Sequence, residues 1–316
     1  MVQKLNRRDT SIDIIRFLAT LFVMNSHMSV CYPVLKILAT GGAIGNALFF
    51  FISGFTLFLS KPQTFGVFYK KRIRRIYPSV IGVSIFACLI GTASGNFIEQ
   101  LGAYWFVNAI MIYYVLLWIG RALKINLIYL IWSSFVLSII ILFIVYDAVF
   151  DDIIYGANWP RYYIYFPFMA LGAYVGKNQK ELKFKKKYIF YLIISIITWV
   201  ILTGIPSLVR IHPLSLISLM GICYYLYLTC KAHYKVKYKP NKFLKKIIII
   251  VGSLCLDAYL IQFYIFTDKL NWLFPLNIII IMATVIFSAY LLNILGNLIL
   301  QTFDSKSYNL KDLLKI

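Results

Sequence analysis

Long apolar stretches, separated by short polar and basic segments, recur along the whole chain. One of them is NLIYLIWSSFVLSIIILFIV at 126–145, and a helix of about 18–22 apolar residues is long enough to cross a bilayer. The pattern predicts ten membrane-spanning helices, at roughly 11–30, 43–60, 76–95, 102–119, 126–146, 162–176, 188–204, 212–230, 247–267 and 272–300. We therefore expect an all-α polytopic bundle in which residues 1–316 form one integral-membrane domain.

Basic residues alternate with these stretches. Of the 32 Lys and Arg residues, 27 fall in the two termini and in every second connection, four fall in the other connections, and Arg16 lies inside a predicted span. Cytoplasmic segments carry such an excess, which predicts that both termini are cytoplasmic. The net charge of +21 then reflects topology, with anionic lipid as the partner, and does not favour nucleic-acid binding. A hydrophobic share of 61% excludes an ordinary soluble domain.

The first predicted span, SIDIIRFLATLFVMNSHM at 11–28, is apolar apart from a few residues. At about 100° per residue, Asp13, Arg16, Thr20 and His27 fall on one narrow stripe of the helix. Such a stripe faces a protein interior or a wet cavity, because lipid penalises it. It is interpreted either as an interhelical hydrogen-bond seam or as part of a functional site.

Two further motifs follow. GNALFFFISGF at 45–55 interrupts an aromatic run with Ser53 and Gly54, and small residues favour close helix packing. KKRIRRIYP at 70–78 places Arg72 and Arg75 three residues apart, on one face of the helix that begins the third span. Guanidinium groups suit phosphate, although a plain topology signal explains the same charges.

Taken together, the three motifs resemble the acyltransferase-3 family of integral-membrane acyltransferases. The shared features are Arg and His separated by ten residues in the first span, FFFISGF in the second, and Arg-x-x-Arg followed by Tyr-Pro leading into the third. Looser similarity continues through AYWFV at 103–107, PFMALGAYVG at 167–176 and SLCLDAYLIQF at 253–263.

The resemblance implies about ten spans and O-acylation of a sugar, usually with acetyl from acetyl-CoA and with no metal. The implied acceptors are surface glycans such as exopolysaccharide, lipopolysaccharide, capsule or peptidoglycan, and the implied location is the cytoplasmic membrane. By the matching motifs, His27 is the catalytic residue, Arg16 is its essential companion, and Arg72 and Arg75 contact the acyl donor. The chain departs from the family at Gln262, where relatives often carry a histidine.

The chemistry fits these roles. A neutral imidazole can take the proton of a sugar hydroxyl that attacks a thioester, and transfer through an acylated His27 is the alternative. Asp13 can pair with Arg16. Candidate donors to the oxyanion or substrate are Ser53, Asn46 and Tyr104. At the outer start of the eighth span, His212 can border an acceptor site, and in the connection before the sixth span Trp159, beside Asp151 and Asp152, can stack on a sugar.

A second class of function shares much of this pattern. A transporter or flippase for lipid-linked sugar, or an export partner, also needs many spans, intramembrane polar residues and a basic cytoplasmic face. Only the enzyme accounts for the particular Arg–His and Arg-x-x-Arg spacings.

Overall fold

The computed structural model describes residues 9–59, 61–91, 104–144, 159–179, 184–236, 241–304 and 308–314, and the regular structure within them is helical throughout. The α-helices, numbered in chain order, are α1 Thr10–His27, α2 Gly42–Leu59, α3 Phe65–Leu89, α4 Trp105–Ala122, α5 Leu127–Ile144, α6 Arg161–Ile164, α7 Phe166–Lys177, α8 Lys186–Gly204, α9 Ser215–Val236, α10 Lys242–Ser253, α11 Cys255–Ile261, α12 Leu276–Asp304 and α13 Leu310–Leu313. Five 3-10 segments join them, at Ser29–Cys31, Lys36–Leu38, Pro206–Leu214, Gln262–Tyr264 and Asn271–Leu273. The predicted all-α class is thus confirmed.

Six stretches of the described chain are helical, long and apolar enough to cross a membrane. They are Lys36–Leu59, Trp105–Ala122, Leu127–Ile144, Lys186–Gly204, Pro206–Ala232 and Leu276–Phe303. A seventh is reached if α10 and the segment Cys255–Tyr264 count together as one broken span. The protein is a multi-pass membrane protein. By helix length and composition, however, the described residues contain six or seven candidate spans and not the ten that were predicted.

The three remaining predicted spans do contain helices. The first is α1, which is 18 residues long but carries Asp13 and Arg16. The third is α3, whose first half is strongly basic. The sixth is divided into α6 and α7, of four and twelve residues. Each therefore falls short in apolar character or in length rather than in helix formation.

Helix ends differ from the sequence prediction in the basic connections at 61–75 and 231–246, which were expected to be loops between spans. The 61–75 connection is helical from Phe65 onward, and Arg72 and Arg75 lie in this helix, as expected from KKRIRRIYP. Most of the 231–246 segment is also helical, because α9 extends to Val236 and α10 begins at Lys242. Long basic side chains keep their charges in water while their stems cover the helix, so charge alone does not end a helix.

By contacts, the chain groups into two compact units. The first contains residues 1–19, 46–59 and 126–252, and the second contains residues 20–45, 60–125 and 253–316. The helices α1 and α2 each contribute residues to both. The prediction of a single domain stays a prediction.

In the first unit, α2 and α7 cross with their backbones in contact. A Cβ added to Gly54 would lie 1.9 Å from the Met169 carbonyl oxygen, and one added to Gly172 would lie 1.8 Å from the Phe51 oxygen. A third, at Gly176, would lie 2.5 Å from the Phe55 oxygen. The helix-packing interpretation of the small residues in FFFISGF is thus confirmed, because only glycine permits this approach.

In the second unit, α3 packs along α12, and the short helix α11 packs against both of them. A Cβ on Gly296 would lie 3.2 Å from the Ser79 oxygen, and one on Gly82 would lie 3.1 Å from Leu292. The segment from Asp257 to Gln262 is buried throughout. This unit holds His27, Arg72, Arg75 and Tyr104.

Candidate active site

His27 is the last residue of α1, and its side chain is half-buried. Its ring packs edge-on against Phe263, with 4.8 Å between the ring centroids. Within the described part of the chain, neither ring nitrogen of His27 makes a hydrogen bond to protein. The imidazole is therefore held by an apolar contact, and its nitrogens remain available to a ligand.

The chain that follows His27 is fixed by carboxamide side chains. Asn271 Nδ2 donates to the Val30 oxygen at 3.1 Å, and Asn277 Nδ2 donates to the Cys31 oxygen at 2.7 Å. These bonds tie the Ser29–Cys31 turn to the region around the start of α12. Because the turn directly follows His27, they limit how far the imidazole can move.

Asn25, two residues before His27, fixes the next loop. Its Nδ2 donates to the oxygens of Leu38 and Thr40, at 2.6 and 3.0 Å, and its Oδ1 accepts from the Tyr32 hydroxyl at 2.7 Å. Sequence reasoning missed this residue. A signal existed, since an asparagine beside the predicted base interrupts an apolar helix.

Arg72 packs against two aromatic rings, Phe68 and Tyr114, that meet edge to face. Its guanidinium carbon is 5.3 Å from the centroid of Phe68 and 5.2 Å from that of Tyr114, and its Nε is buried with no hydrogen-bond partner among the described residues. Aromatic faces hold a guanidinium by cation–π attraction, which leaves the N–H groups in its plane for an anion. Arg75, three residues on, is exposed.

Tyr104 directly precedes α4 and is buried. Its ring lies 6.4 Å from that of Tyr259, and its side chain is hydrogen-bonded to that of Tyr264. The hydroxyl that was expected to contact substrate therefore already has a partner within the protein.

Asp13 and Arg16 belong to the first unit, where Asp13 is 2% exposed. An Arg16 nitrogen lies 3.9 Å from an Asp13 carboxylate oxygen, which is an ion pair but longer than a hydrogen bond. The helix backbone here packs against Gly252, where a Cβ would lie 3.1 Å from Arg16 Cβ. Along the continuous helix α1, Arg16 and His27 are about 16 Å apart, so Arg16 cannot reach the imidazole directly.

Two residues of the predicted stripe on α1 are buried: Asp13 is 2% exposed and Thr20 is 1% exposed. The expectation that this face turns away from lipid is confirmed for both residues. Such burial fits the hydrogen-bond seam as well as a functional site, and the roles of Asp13 and Arg16 stay predictions.

The remaining candidates lie in the first unit. Ser53 is half-buried beside the glycine contact of α2 and α7, and its backbone oxygen accepts from Thr56 at 3.2 Å. Trp159 is 51% exposed and packs against Tyr163, with 5.7 Å between ring centroids. Asp151 and Asp152, predicted beside Trp159, lie outside the described residues. His212 is buried in the Pro206–Leu214 segment, so it does not present an open surface to an acceptor.

The Arg–His, FFFISGF and Arg-x-x-Arg motifs of α1, α2 and α3 all lie in a stretch that matches a known protein family. An acyltransferase domain family, acyltransferase-3, matches residues 9–300. The chain belongs to the acyltransferase-3 family. No curated protein and no solved structure matches it. As a member of this family the protein is a membrane acyltransferase, and its action on an acyl donor follows from the family.

Metal ligands were not expected. In the described ranges, no group of three or more His, Cys, Asp or Glu residues lies close enough to hold a metal ion. The prediction that the reaction needs no metal stays a prediction.

From the sequence, Gln262 stands where relatives often carry a histidine, and we expected that it could orient a ligand but not act as a base. It is fully buried, and neither of its amide atoms has a hydrogen-bond partner among the described residues. The structure adds that the next residue, Phe263, contacts His27. That proximity depends on a contact between residues far apart in the chain.

Proposed function

We propose that this membrane acyltransferase is an O-acyltransferase. It moves an acetyl or other short acyl group from cytoplasmic acetyl-CoA to a hydroxyl of a cell-surface or lipid-linked glycan, with His27 as general base. The observation that carries the proposal is the state of His27, a half-buried imidazole held by Phe263 with no protein hydrogen bond on either nitrogen among the described residues. A neutral imidazole in this state is able to accept a proton.

The donor site is assigned to Arg72 and Arg75. Coenzyme A carries several phosphates, and a guanidinium presents parallel N–H donors that suit phosphate oxygens. The packing of Arg72 against Phe68 and Tyr114 supports this role, since it restricts where the guanidinium can lie. Arg75 is exposed on the same helix and adds a second positive charge.

The proposed reaction proceeds in one transfer. The glycan hydroxyl oxygen attacks the thioester carbonyl carbon while His27 takes the hydroxyl proton. The carbon–sulfur bond then breaks, and the proton passes from the imidazolium to the departing thiolate, which leaves as the free thiol. Acyl ester and coenzyme A are the products, and His27 returns to its neutral form.

The topology is part of the proposal. The six apolar helices, the broken span, α1, α3 and the pair α6–α7 together give ten crossings, and an even number returns both termini to the cytoplasm. The basic segments support this orientation. We propose the cytoplasmic membrane as its location, with Arg72 and Arg75 near the cytoplasmic side. Arg16 then lies about 16 Å from His27 along α1, and we assign it, with Asp13, to the donor path.

The remaining predicted substrate contacts form the acceptor part of the proposal. Trp159 is exposed, and an exposed indole suits stacking on a sugar ring. Ser53 and Tyr104 are assigned to substrate contact on weaker grounds, because Tyr104 is hydrogen-bonded to Tyr264. Membrane lipid, acyl-CoA and glycan are the proposed partners.

The experiment in cells measures O-acetyl groups on the host's surface glycan by NMR. A deletion strain receives the wild-type gene, His27→Ala or Arg72→Ala, with Lys71→Ala as a matched control that removes a neighbouring exposed charge. Protein levels in the membrane are equalised. Acetyl signals are expected with wild type and Lys71→Ala and to be absent with the other two. Full acetylation with His27→Ala would show that the base is wrongly assigned.

A purified assay separates direct transfer from an acyl-enzyme. Protein in lipid nanodiscs is mixed with radiolabelled acetyl-CoA in the absence of acceptor. Direct transfer predicts no label on the protein, whereas an acetylated His27 would carry label that His27→Ala lacks. If acetylation never depends on the gene but glycan export does, the protein acts in transport and the proposal is wrong.

A further inference from the structure

The side chain of Gln262 is fully buried, and both polar atoms of its amide, Nε2 and Oε1, have no hydrogen-bond partner among the described residues. Asn277 offers a comparison, since it is equally buried but its Nδ2 donates to Cys31 and to Asn271, at 2.7 and 3.1 Å. A buried amide without partners destabilises the folded state. Native proteins keep such groups rarely, and the usual reason is a bound molecule or a catalytic role.

The position of Gln262 connects it with the proposed base. It starts the 3-10 turn Gln262–Tyr264, where its backbone oxygen accepts from the amides of Ile265 and Phe266, at 3.0 and 3.1 Å. The turn is therefore held by backbone bonds, and the side chain is not needed for them. The next residue, Phe263, packs its ring against His27.

The same turn also carries an exposed ring. Phe263 is 53% exposed although its neighbour Gln262 is fully buried. Tyr264 is hydrogen-bonded to Tyr104 and packs against Phe86, with 5.6 Å between the ring centroids. Thus one three-residue turn carries the ring that contacts the imidazole, the tyrosine that contacts Tyr104 and Phe86, and the unpaired amide.

The chemistry of an amide limits what Gln262 can do. It cannot take up a proton at neutral pH, so it is not a second base, but its Nε2 offers two N–H donors. In the proposed transfer, negative charge develops on the carbonyl oxygen of the acyl group as the hydroxyl attacks. Donors aimed at that oxygen lower the barrier because they stabilise the transition state more than the ground state.

We propose that the Gln262 amide binds the acyl group of the donor, with Nε2 donating a hydrogen bond to the carbonyl oxygen as His27 takes the proton of the attacking hydroxyl. This assignment rests on the proposed acyl transfer. No bond to Gln262 forms or breaks. The oxygen–carbon bond of the ester forms, the carbon–sulfur bond breaks, and the thiol receives the proton that His27 took.

The proposal makes stability and activity respond in opposite directions. Gln262→Met keeps the length and volume of the side chain but removes both polar atoms. If the amide has no partner inside the protein, the variant is as stable as wild type or more stable, while turnover falls. Gln262→Glu keeps the shape but, when ionised, offers acceptors only, so its turnover falls as well.

The experiment uses the full-length protein in lipid nanodiscs, acetyl-CoA as donor and the host's extracted surface glycan as acceptor. Thiol release gives kcat and KM, and thermal unfolding gives stability. For Gln262→Met we expect kcat to fall about 10²–10³-fold, KM for acetyl-CoA to stay within about threefold, and the unfolding temperature to be unchanged or higher. The control Asn277→Leu removes a paired amide, so its unfolding temperature is expected to fall.

Two results would overturn the assignment. A lower unfolding temperature for Gln262→Met would show that the amide is paired inside the protein, and an unchanged kcat would show that it does not act in transfer. In either case wild-type thiol release leaves the proposed function standing. If wild type releases no thiol with any glycan fraction, the proposed function fails, and the role of Gln262 fails with it.

Discussion

The crossing of α2 with α7 and the side chain of Gln262 are both buried, but for opposite physical reasons. At the crossing, Gly54 and Gly172 remove every side-chain atom so that two backbones touch, with added Cβ positions only 1.9 and 1.8 Å from carbonyl oxygens. At the turn, a polar side chain is kept inside the protein without a partner among the described residues.

The difference indicates that the glycine crossing stabilises the fold, whereas the Gln262 amide serves the proposed reaction. Close backbone contact maximises packing and leaves no space for a ligand. An unpaired amide does the reverse, because it lowers stability, and a bound molecule or a catalytic role is a usual reason for keeping it. Changes at the crossing should therefore act on folding, and changes near the turn should act on the reaction.

The largest expected effect breaks the crossing. Gly172→Val places a branched side chain where even a Cβ would lie 1.8 Å from the Phe51 oxygen. Overpacking commonly costs about 1–3 kcal/mol, and a clash with backbone costs more because the helices must separate. We expect little or no folded protein by size-exclusion chromatography of detergent extracts.

The control for this prediction is Gly66→Ala, since no atom lies within 4 Å of the Cβ that it adds. That variant should elute as wild type does. A folded Gly172→Val protein with a wild-type unfolding temperature would contradict the tight crossing.

The next effect is expected at His27. Removal of a general base lowers turnover by about 10²–10⁴-fold, so His27→Ala should show that fall in kcat for thiol release. Its unfolding temperature should change little, because no described residue hydrogen-bonds to the ring. A loss of activity that parallels a loss of folded protein would instead assign His27 to structure.

A smaller effect is expected at the donor site. Arg72→Lys keeps the charge but loses the guanidinium that packs against Phe68 and Tyr114. A lysine cannot replace a forked guanidinium, so KM for acetyl-CoA should rise about tenfold with kcat nearly unchanged. Lys71→Arg, which alters an exposed neighbour, is the control, and equal KM values for the two variants would remove Arg72 from the donor site.

The smallest effect concerns the loop after α1. Asn25→Ala removes bonds to the Leu38 and Thr40 oxygens and from the Tyr32 hydroxyl. Partly exposed hydrogen bonds contribute about 1 kcal/mol each, so faster hydrogen exchange is expected in residues 36–41, with a modest fall in turnover. Unchanged exchange there would show that the loop is held by other contacts.

Short-range patterns predicted much of this fold. Apolar runs identified the helices because burial in lipid and helix formation are both local in sequence, and six of them meet the requirements for spans. The stripe on α1 placed Asp13 and Thr20 away from lipid, since helical periodicity alone decides which residues share a face. The small residues of FFFISGF predicted close packing but did not identify the partner, Met169.

The sequence prediction was wrong where charge or hydropathy was used to set the ends of helices. The basic residues at 61–75 and 231–246 suggested loops, yet α3, α9 and α10 continue through most of them. The predicted ninth span divides after Ser253 into α10 and α11. Neither charge nor hydropathy marks such a break, because burial against α3 and α12 stabilises the separate short helix.

The sequence by itself determined the all-helical membrane class, the face of α1 that carries Asp13 and Thr20, and the motifs that assign the family. All of these depend on residues close together in the chain. Only the tertiary structure decided that Phe263 holds the imidazole of His27, that Tyr104 is already bonded to Tyr264, and that Gln262 is buried without a partner among the described residues. The physical reason is that a hydrogen bond or a ring contact depends on distance between side chains, and the folded chain sets those distances between residues far apart in sequence.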